Sequence, residues 1–211
     1  MGLPFDWAAQ GSGPFIRSAA NDEAVRHIEH WRDWPLPVAI LSGPPKSGKT
    51  TLARHFAAIS GGSVIDDVEK SDDRSLFHAW NLARDSGRPL LIVAKTPPAS
   101  WTIALPDLRS RIAAAHHVAI AEPDEELVGA LLEMGLTHAG SPFAEGLIGW
   151  LVPRIERSYA AIAAVLTILN QASLSSGRKI SVALAKEALQ GAGFLPILYE
   201  DRDPGLDNGD S

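Results

Sequence analysis

One stretch of this sequence has residue types and spacing suited to phosphate chemistry. Gly43-Pro44-Pro45-Lys46-Ser47-Gly48-Lys49-Thr50 fits the P-loop pattern G-x-x-x-x-G-K-[ST], and Thr51 follows it. Its glycines let backbone N–H groups curl around phosphate oxygens, and a helix opening directly behind the loop adds its N-terminal dipole. Lys49 neutralises β and γ oxygens, and Thr50 offers its hydroxyl to Mg²⁺. Gly43, Pro44, Pro45, Lys46, Ser47, Gly48, Lys49, Thr50 and Thr51 are therefore the residues expected to hold ADP or ATP. A nucleotide-bound metal also needs a carboxylate at the end of a neighbouring strand. Asp66 suits that role beside Thr50, and Asp67 would orient an attacking water, although paired acids after a strand also occur in ordinary turns.

These groups need particular elements to position them. Pro37 to Leu41 is a short apolar run that reads as a buried strand feeding the loop, and Thr51 to Ile59 continues as a helix until Gly61-Gly62. Ser63 to Asp67 reads as a strand ending in the two acids. Asp72 to Asp85 reads as a helix burying Leu76, Phe77, Trp80 and either Leu82 or Ala83, and Leu90 to Ala94 as the next strand. Strand and helix alternate, which implies a parallel sheet. Before the loop, Asn21 is placed to cap a helix carrying Val25, Ile28 and Trp31. Past Pro123 the pattern is helical only, with helices expected near 124–138, 142–152, 157–175 and 181–190; Ser141-Pro142 and Ser181 are the expected caps. The division expected is an extended arm over 1–20, an α/β domain over 21–122, a helical lid over 123–190 and an acidic, disordered tail over 191–211.

Composition narrows the class. Among 211 residues, 45% are hydrophobic and 21% charged, and the net charge of -6 disfavours direct DNA binding, which needs a basic face. There is no cysteine, so disulfides, thiolate metal sites and cysteine nucleophiles are excluded. The seven histidines show no ligand spacing, and the adjacent His116 and His117 would point opposite ways on a strand, as structural residues do. No apolar run reaches the roughly 18 residues of a membrane span and no secretory signal opens the chain, so a cytoplasmic protein is expected.

Three further stretches carry a resemblance. Asp66-Asp67, then Leu76-Phe77-His78-Ala79-Trp80-Asn81 and Thr96-Pro97-Pro98, resemble the AAA+ replication initiator family of DnaA. Asp107-Leu108-Arg109-Ser110-Arg111 is similar to that family's box carrying the arginine finger, and Glu156-Arg157-Ser158-Tyr159 to its second-sensor helix. The likeness runs from about Phe15 to Leu189 without a helix-turn-helix domain after it, and Ala99 to Leu108 is especially similar to the DnaA-related Hda regulators. The resemblance implies a P-loop AAA+ parallel-sheet domain with a small all-helical lid. It also implies regulatory inactivation of DnaA, in which a nucleotide-bound protein tethered to the DNA polymerase sliding clamp makes DnaA hydrolyse its ATP. Arg111, with Arg109 beside it, would reach the partner's nucleotide, unless both are solvated charges after a short helix. Arg157 would contact the bound nucleotide. Clamp binding would fall to Leu3, Pro4 and Phe5, which are as compatible with an apolar arm folded on the core.

Two departures bear on chemistry. Only Ser60 to Gly62 stand between the P-loop helix and the acidic strand, where that fold inserts another βα unit, so a reduced sheet is expected. Ala94-Lys95-Thr96 replaces the usual first sensor, and Lys95 either approaches a γ-phosphate or is solvated. Both changes point to a nucleotide-holding protein with weak or absent intrinsic ATPase. A self-assembling AAA+ ATPase that loads or remodels something, and a scaffold with a vestigial P-loop, are the alternatives.

Overall fold

The structure is a computed structural model that describes residues 15–195. Leu3, Pro4 and Phe5, the rest of the arm to residue 14, and residues 196–211 lie outside the described residues.

Four strands, β1 (Val38–Ser42), β2 (Ser63–Ile65), β3 (Leu90–Ala94) and β4 (His116–Ala119), form one sheet in the order β2-β3-β1-β4, with every pair parallel. β1 and β3 are buried along their whole length, which is why they read as unbroken apolar runs rather than alternating ones. On one face, α1 (Asp22–Glu29) and α2 (Lys49–Ser60) pack Val25, Ile28, Leu52 and Phe56 onto Ala39, Leu41, Leu91 and Val93. On the other, α3 (Asp73–Ser86) and α4 (Pro106–Ala114) pack Leu76, Trp80, Leu108 and Ile112 onto Val38, Ile40, Leu90 and Ile92. The side-chain period of two along each strand sorts the residues between the two layers.

Local sequence sets the boundaries. Asp72 accepts a hydrogen bond from Ser75 N–H at 2.9 Å and starts α3. α2 ends on Gly61 in the left-handed region (φ 63°), as helix C-termini favour. Gly61 and Gly62 alone then join α2 to β2, so the sheet is reduced to four strands among the described residues. The tightness of that return requires glycine, because a Cβ on Gly62 would stand 2.4 Å from the Pro89 carbonyl oxygen.

Four helices, α5 (Glu125–His138), α6 (Leu147–Leu151), α7 (Tyr159–Ser176) and α8 (Val182–Gly191), enclose their own core of Val128, Leu132, Leu136, Leu151, Val165 and Leu169. Leu127 and Tyr159, at the first turns of α5 and α7, instead join the core of the α1/α2 layer. The Tyr159 hydroxyl donates to the Ala121 carbonyl at 3.1 Å.

Several expectations are corrected. The helix expected from 142 starts only at Leu147, because Phe143 bridges to Ile180 and the Ile180 N–H donates to the Pro142 carbonyl. Ser141 does not cap it; its hydroxyl donates to Asn170. Asn21 stands at the N-cap of α1, but its side chain ties down Ser18 and Ile16, and Trp31 falls beyond the helix in a 3-10 turn. Ala83, not Leu82, is the buried partner of Trp80, Leu82 being 59% exposed. β2 stops at Ile65, since Asp67 turns into the left-handed region (φ 54°). Finally, α7 has 18 residues and a mean hydropathy of 1.2, so one described helix does have the length and composition of a span; Ile162, Val165 and Leu169 on it belong to the helical core.

Candidate functional site

The loop from Gly43 to Gly48 leaves the C-terminal end of β1, the edge at which parallel sheets receive ligands. Lys46 (φ 65°) and Gly48 (φ 89°) have left-handed backbones while Ser47 between them does not, and such alternation builds the concave turns that bind anions. Gly48 is also required by packing, because a Cβ there would lie 2.7 Å from the Phe15 ring, which is itself buried. A Cβ on Gly43 would lie 2.9 Å from the Ile120 carbonyl oxygen. Pro45 and Lys46 are exposed, Pro44 is half-buried, and Thr51 follows in the first turn of α2.

Within this cradle, the Lys49 ammonium donates to the Gly43 and Pro44 carbonyls at 2.7 and 2.6 Å. Burial pushes its pKa below the usual lysine range, and the carboxylates of Asp66, Glu69 and Asp67 pull the other way. The Ser47 hydroxyl is buried with no hydrogen-bond partner, a costly arrangement for a polar group. An ammonium under desolvation and an orphaned hydroxyl in one turn fit a phosphate, which would satisfy both. The Thr50 hydroxyl donates to Asp66 Oδ2 at 2.9 Å, so the two residues assigned to a metal already meet.

Asp67 does not stand free beside them. Lys70 donates to its Oδ2 at 2.6 Å, and the Lys95 ammonium is 3.7 Å from its Oδ1. The Lys70 hydrogen bond, with the charge of both lysines, holds this carboxyl below the usual carboxylate range. Glu69 completes the group by accepting the Lys95 backbone N–H at 2.5 Å. Sequence reasoning missed Glu69 and Lys70, which lie on a 3-10 turn (Val68–Lys70) that carries no motif.

The other candidates lie elsewhere. Arg109 and Arg111 sit within α4; Arg109 is exposed and Arg111 half-buried, and both donate hydrogen bonds. Arg109 donates twice to the Ile103 carbonyl, at 3.1 and 2.7 Å. Arg111 forks onto Asp107 at 3.1 and 2.8 Å, donates to Asn81 on α3 at 2.8 Å, and lies 4.8 Å from the centroid of the Phe77 ring. Asp73, also unanticipated, orders the approach to α4 by accepting the Ala104 and Leu105 N–H groups. Arg157 precedes α7, whose cap is Ser158, and pairs with Glu125 at the start of α5; both side chains are exposed. The P-loop, Asp66, Asp67 and Lys95 are thus brought together, while Arg109, Arg111 and Arg157 make their contacts away from that cluster.

The histidines also find partners. His117 Nε2 and the Ser42 hydroxyl are 2.7 Å apart, and His116 stacks on His27 at 4.0 Å. Among the described residues, no cluster of three or more His, Asp or Glu is placed to hold a metal ion.

No protein-family model matches the chain. A curated relative, an uncharacterized protein of Haemophilus influenzae, is 25% identical over 128 residues, covering 60% of this chain and 54% of that protein, so the match spans about half the relative's length. Among solved structures, domain III of the replication initiation protein DnaA from Thermotoga maritima superposes with a TM-score of 0.74 at 16% identity, over 93% of this chain and 100% of that one. AMPPCP-bound DnaA from Aquifex aeolicus gives 0.61 at 15% identity, over 76% of this chain and 65% of that one. RuvB from Thermotoga maritima gives 0.64 at 12% identity, over 83% and 69%. The chain therefore has the fold shared by DnaA domain III and RuvB, a parallel four-stranded sheet with helices.

Proposed function

We propose that this protein is a nucleotide-binding AAA+ regulator of the Hda type, which holds ADP or ATP in its P-loop and promotes hydrolysis of ATP bound to DnaA. On this reading 21–122 is the nucleotide domain, 123–190 the lid that responds to its state through Arg157, and the protein acts in the cytoplasm at the nucleoid. Mg²⁺ would be held by the nucleotide's own oxygens together with Thr50 and Asp66, the usual economy of magnesium sites.

The observation that carries the proposal is Arg111. Its guanidinium is 21% exposed and fixed by Asp107, Asn81 and Phe77, all on α3 or α4 and none in its own phosphate loop. An arginine held by partners outside its own phosphate loop is suited to stabilising charge on a neighbour's γ-phosphate, where such residues contribute about 10³ to 10⁵ in rate. The lysine-bound Asp67 agrees with weak intrinsic hydrolysis, because a carboxylate held by two cations is a poor base for water.

The test is hydrolysis of DnaA-bound ATP with this protein and DNA-loaded sliding clamp, each omitted in turn. Stimulation should need all three, and Arg111→Ala should abolish it while leaving this protein's own nucleotide affinity unchanged. Normal stimulation by that variant would exclude the trans role. Loss of stimulation on Leu3→Ala with Phe5→Ala would place clamp contact in the arm. A self-assembling AAA+ ATPase would use the same Arg111 on a second copy; turnover per molecule rising with protein concentration, without DnaA, is its signature.

A further inference from the structure

We infer that the acidic segment near the end of this chain, Asp203 to Asp207, seats in a surface cavity beside Arg111 and competes for that arginine. The effect on a partner, though not the contact itself, rests on reading Arg111 as the residue offered to a neighbour's nucleotide. The cavity, about 380 Å³, lies between the C-terminal halves of α3 and α4 and is lined by Leu36, Trp80, Arg84, Ser110, Arg111 and Ala114. Trp80 and Leu36 make the lining apolar, and Leu36, 37% exposed, is one of four large hydrophobics left at the surface among the described residues. Arg84 and Arg111 set two guanidinium groups beside it. An apolar recess carrying two cations selects an apolar side chain with carboxylates next to it.

Both cations can take a further carboxylate. Arg111 uses three of its five N–H donors on Asp107 and Asn81, which leaves two. Arg84 pairs with its neighbour Asp85 at 2.9 Å with both side chains more than half exposed, and such a pair is weak enough to be joined or displaced. The end of the chain supplies the matching group. Leu206 stands between Asp203 and Asp207, and residues 196–211 hold five acids against one arginine. The described chain ends at Leu195, packed on the core of the four-helix unit, eleven residues before Leu206. Eleven residues reach about 36 Å, against a radius of gyration of about 16 Å for a fold of this size. A segment tethered in this way faces the cavity at an effective concentration of about 1 mM, so a weak contact is enough to seat it for much of the time. A partner's γ-phosphate then has to displace it from Arg111.

The chain has no cysteine, so introduced ones report alone. In the full chain, Ala114→Cys with Asn208→Cys should close an intramolecular disulfide under mild oxidation about tenfold faster than Glu187→Cys with Asn208→Cys. Chance contact would favour the second pair, because Glu187 is exposed on α8 and nearer to Asn208 in sequence. Arg84→Glu or Leu206→Ser added to the first pair should slow closure about threefold. Equal closure at the two sites, or closure indifferent to both substitutions, would overturn the contact, and covalent dimers in place of a closed chain would give the cavity to a second copy. Asp203→Asn with Asp207→Asn frees Arg111 and should raise stimulated hydrolysis of DnaA-bound ATP about two- to fivefold at subsaturating protein, as a segment seated for half to four-fifths of the time requires. A closed disulfide with unchanged stimulation would refute the competition. Closure as expected, with no stimulation by any form of the protein, would remove the partner reading and leave the contact standing.

Discussion

Lys49 and Arg111 show two uses of a cation in one chain. Lys49 is half-buried with its ammonium turned back on the Gly43 and Pro44 carbonyls, and burial pushes its pKa below the usual lysine range. Lys49→Ala should therefore weaken nucleotide binding by about 10- to 100-fold, the range of a hydrogen bond to a charged group. Its Tm should move by less than about 4 °C, as roughly 1 kcal/mol would move it in a chain of this size, because the amine removed is already under desolvation. Calorimetry for binding and a melting curve for stability separate the two effects. Arg111 is the opposite case, since its planar fork already satisfies Asp107 and Asn81. Arg111→Lys keeps the charge and loses the fork. It should reduce partner stimulation nearly as much as alanine does, and a stimulated-hydrolysis assay comparing the two variants checks this.

At the scale of elements, the return from α2 to β2 is the most demanding piece of backbone. Gly62→Ala would set a methyl 2.4 Å from the Pro89 carbonyl oxygen, an atom of backbone that cannot swing away. About 3 kcal/mol of destabilisation is expected, the upper end of overpacking costs, read as a shift in the urea midpoint. The junction of lid and sheet is milder. Tyr159→Phe removes the bond to Ala121 and should cost about 1 kcal/mol, with faster amide exchange at the start of α7. Gly62 was legible as a helix-breaking pair with Gly61, and the missing βα unit followed from counting the residues there. The false start of a helix at Ser141-Pro142 was not avoidable from local signals, because the competing partner, Ile180, is far along the chain.

At the scale of the molecule, buried and half-buried histidines contribute to the response to acid. His27 lies between His116 and Trp34, with centroids 4.0 and 5.0 Å away, and burial followed by the charge of His116 lowers its pKa to about 4. His55 and His117 are lowered in the same direction, chiefly by burial. Between about pH 6.5, where an unfolded histidine titrates, and about 4, the unfolded chain binds more protons than the folded one. Stability is thus fully present above that window and is lost as pH falls through it. His27→Phe keeps a ring in the stack and removes the titrating group; its Tm should fall less than that of the unaltered protein between pH 6.5 and 4.5. Parallel curves for the two proteins would show that His27 does not titrate in the fold.

Taken alone, the sequence determined the phosphate loop, the acids after the next strand, the alternation that makes a parallel sheet and the helical character of the remainder, because spacing and period are properties of a local stretch. Tertiary structure decided how those groups are used. Asp66 meets Thr50 while Asp67, one residue on, is taken by Lys70 and Lys95, a division that depends on a single left-handed residue and on a lysine just past the end of β3. Glu69, Asp73 and Asn81 acquire their roles only when distant segments are brought beside them. Residue type determines what a side chain can bind, but its partner depends on where the chain returns, and that is decided by packing over the whole fold.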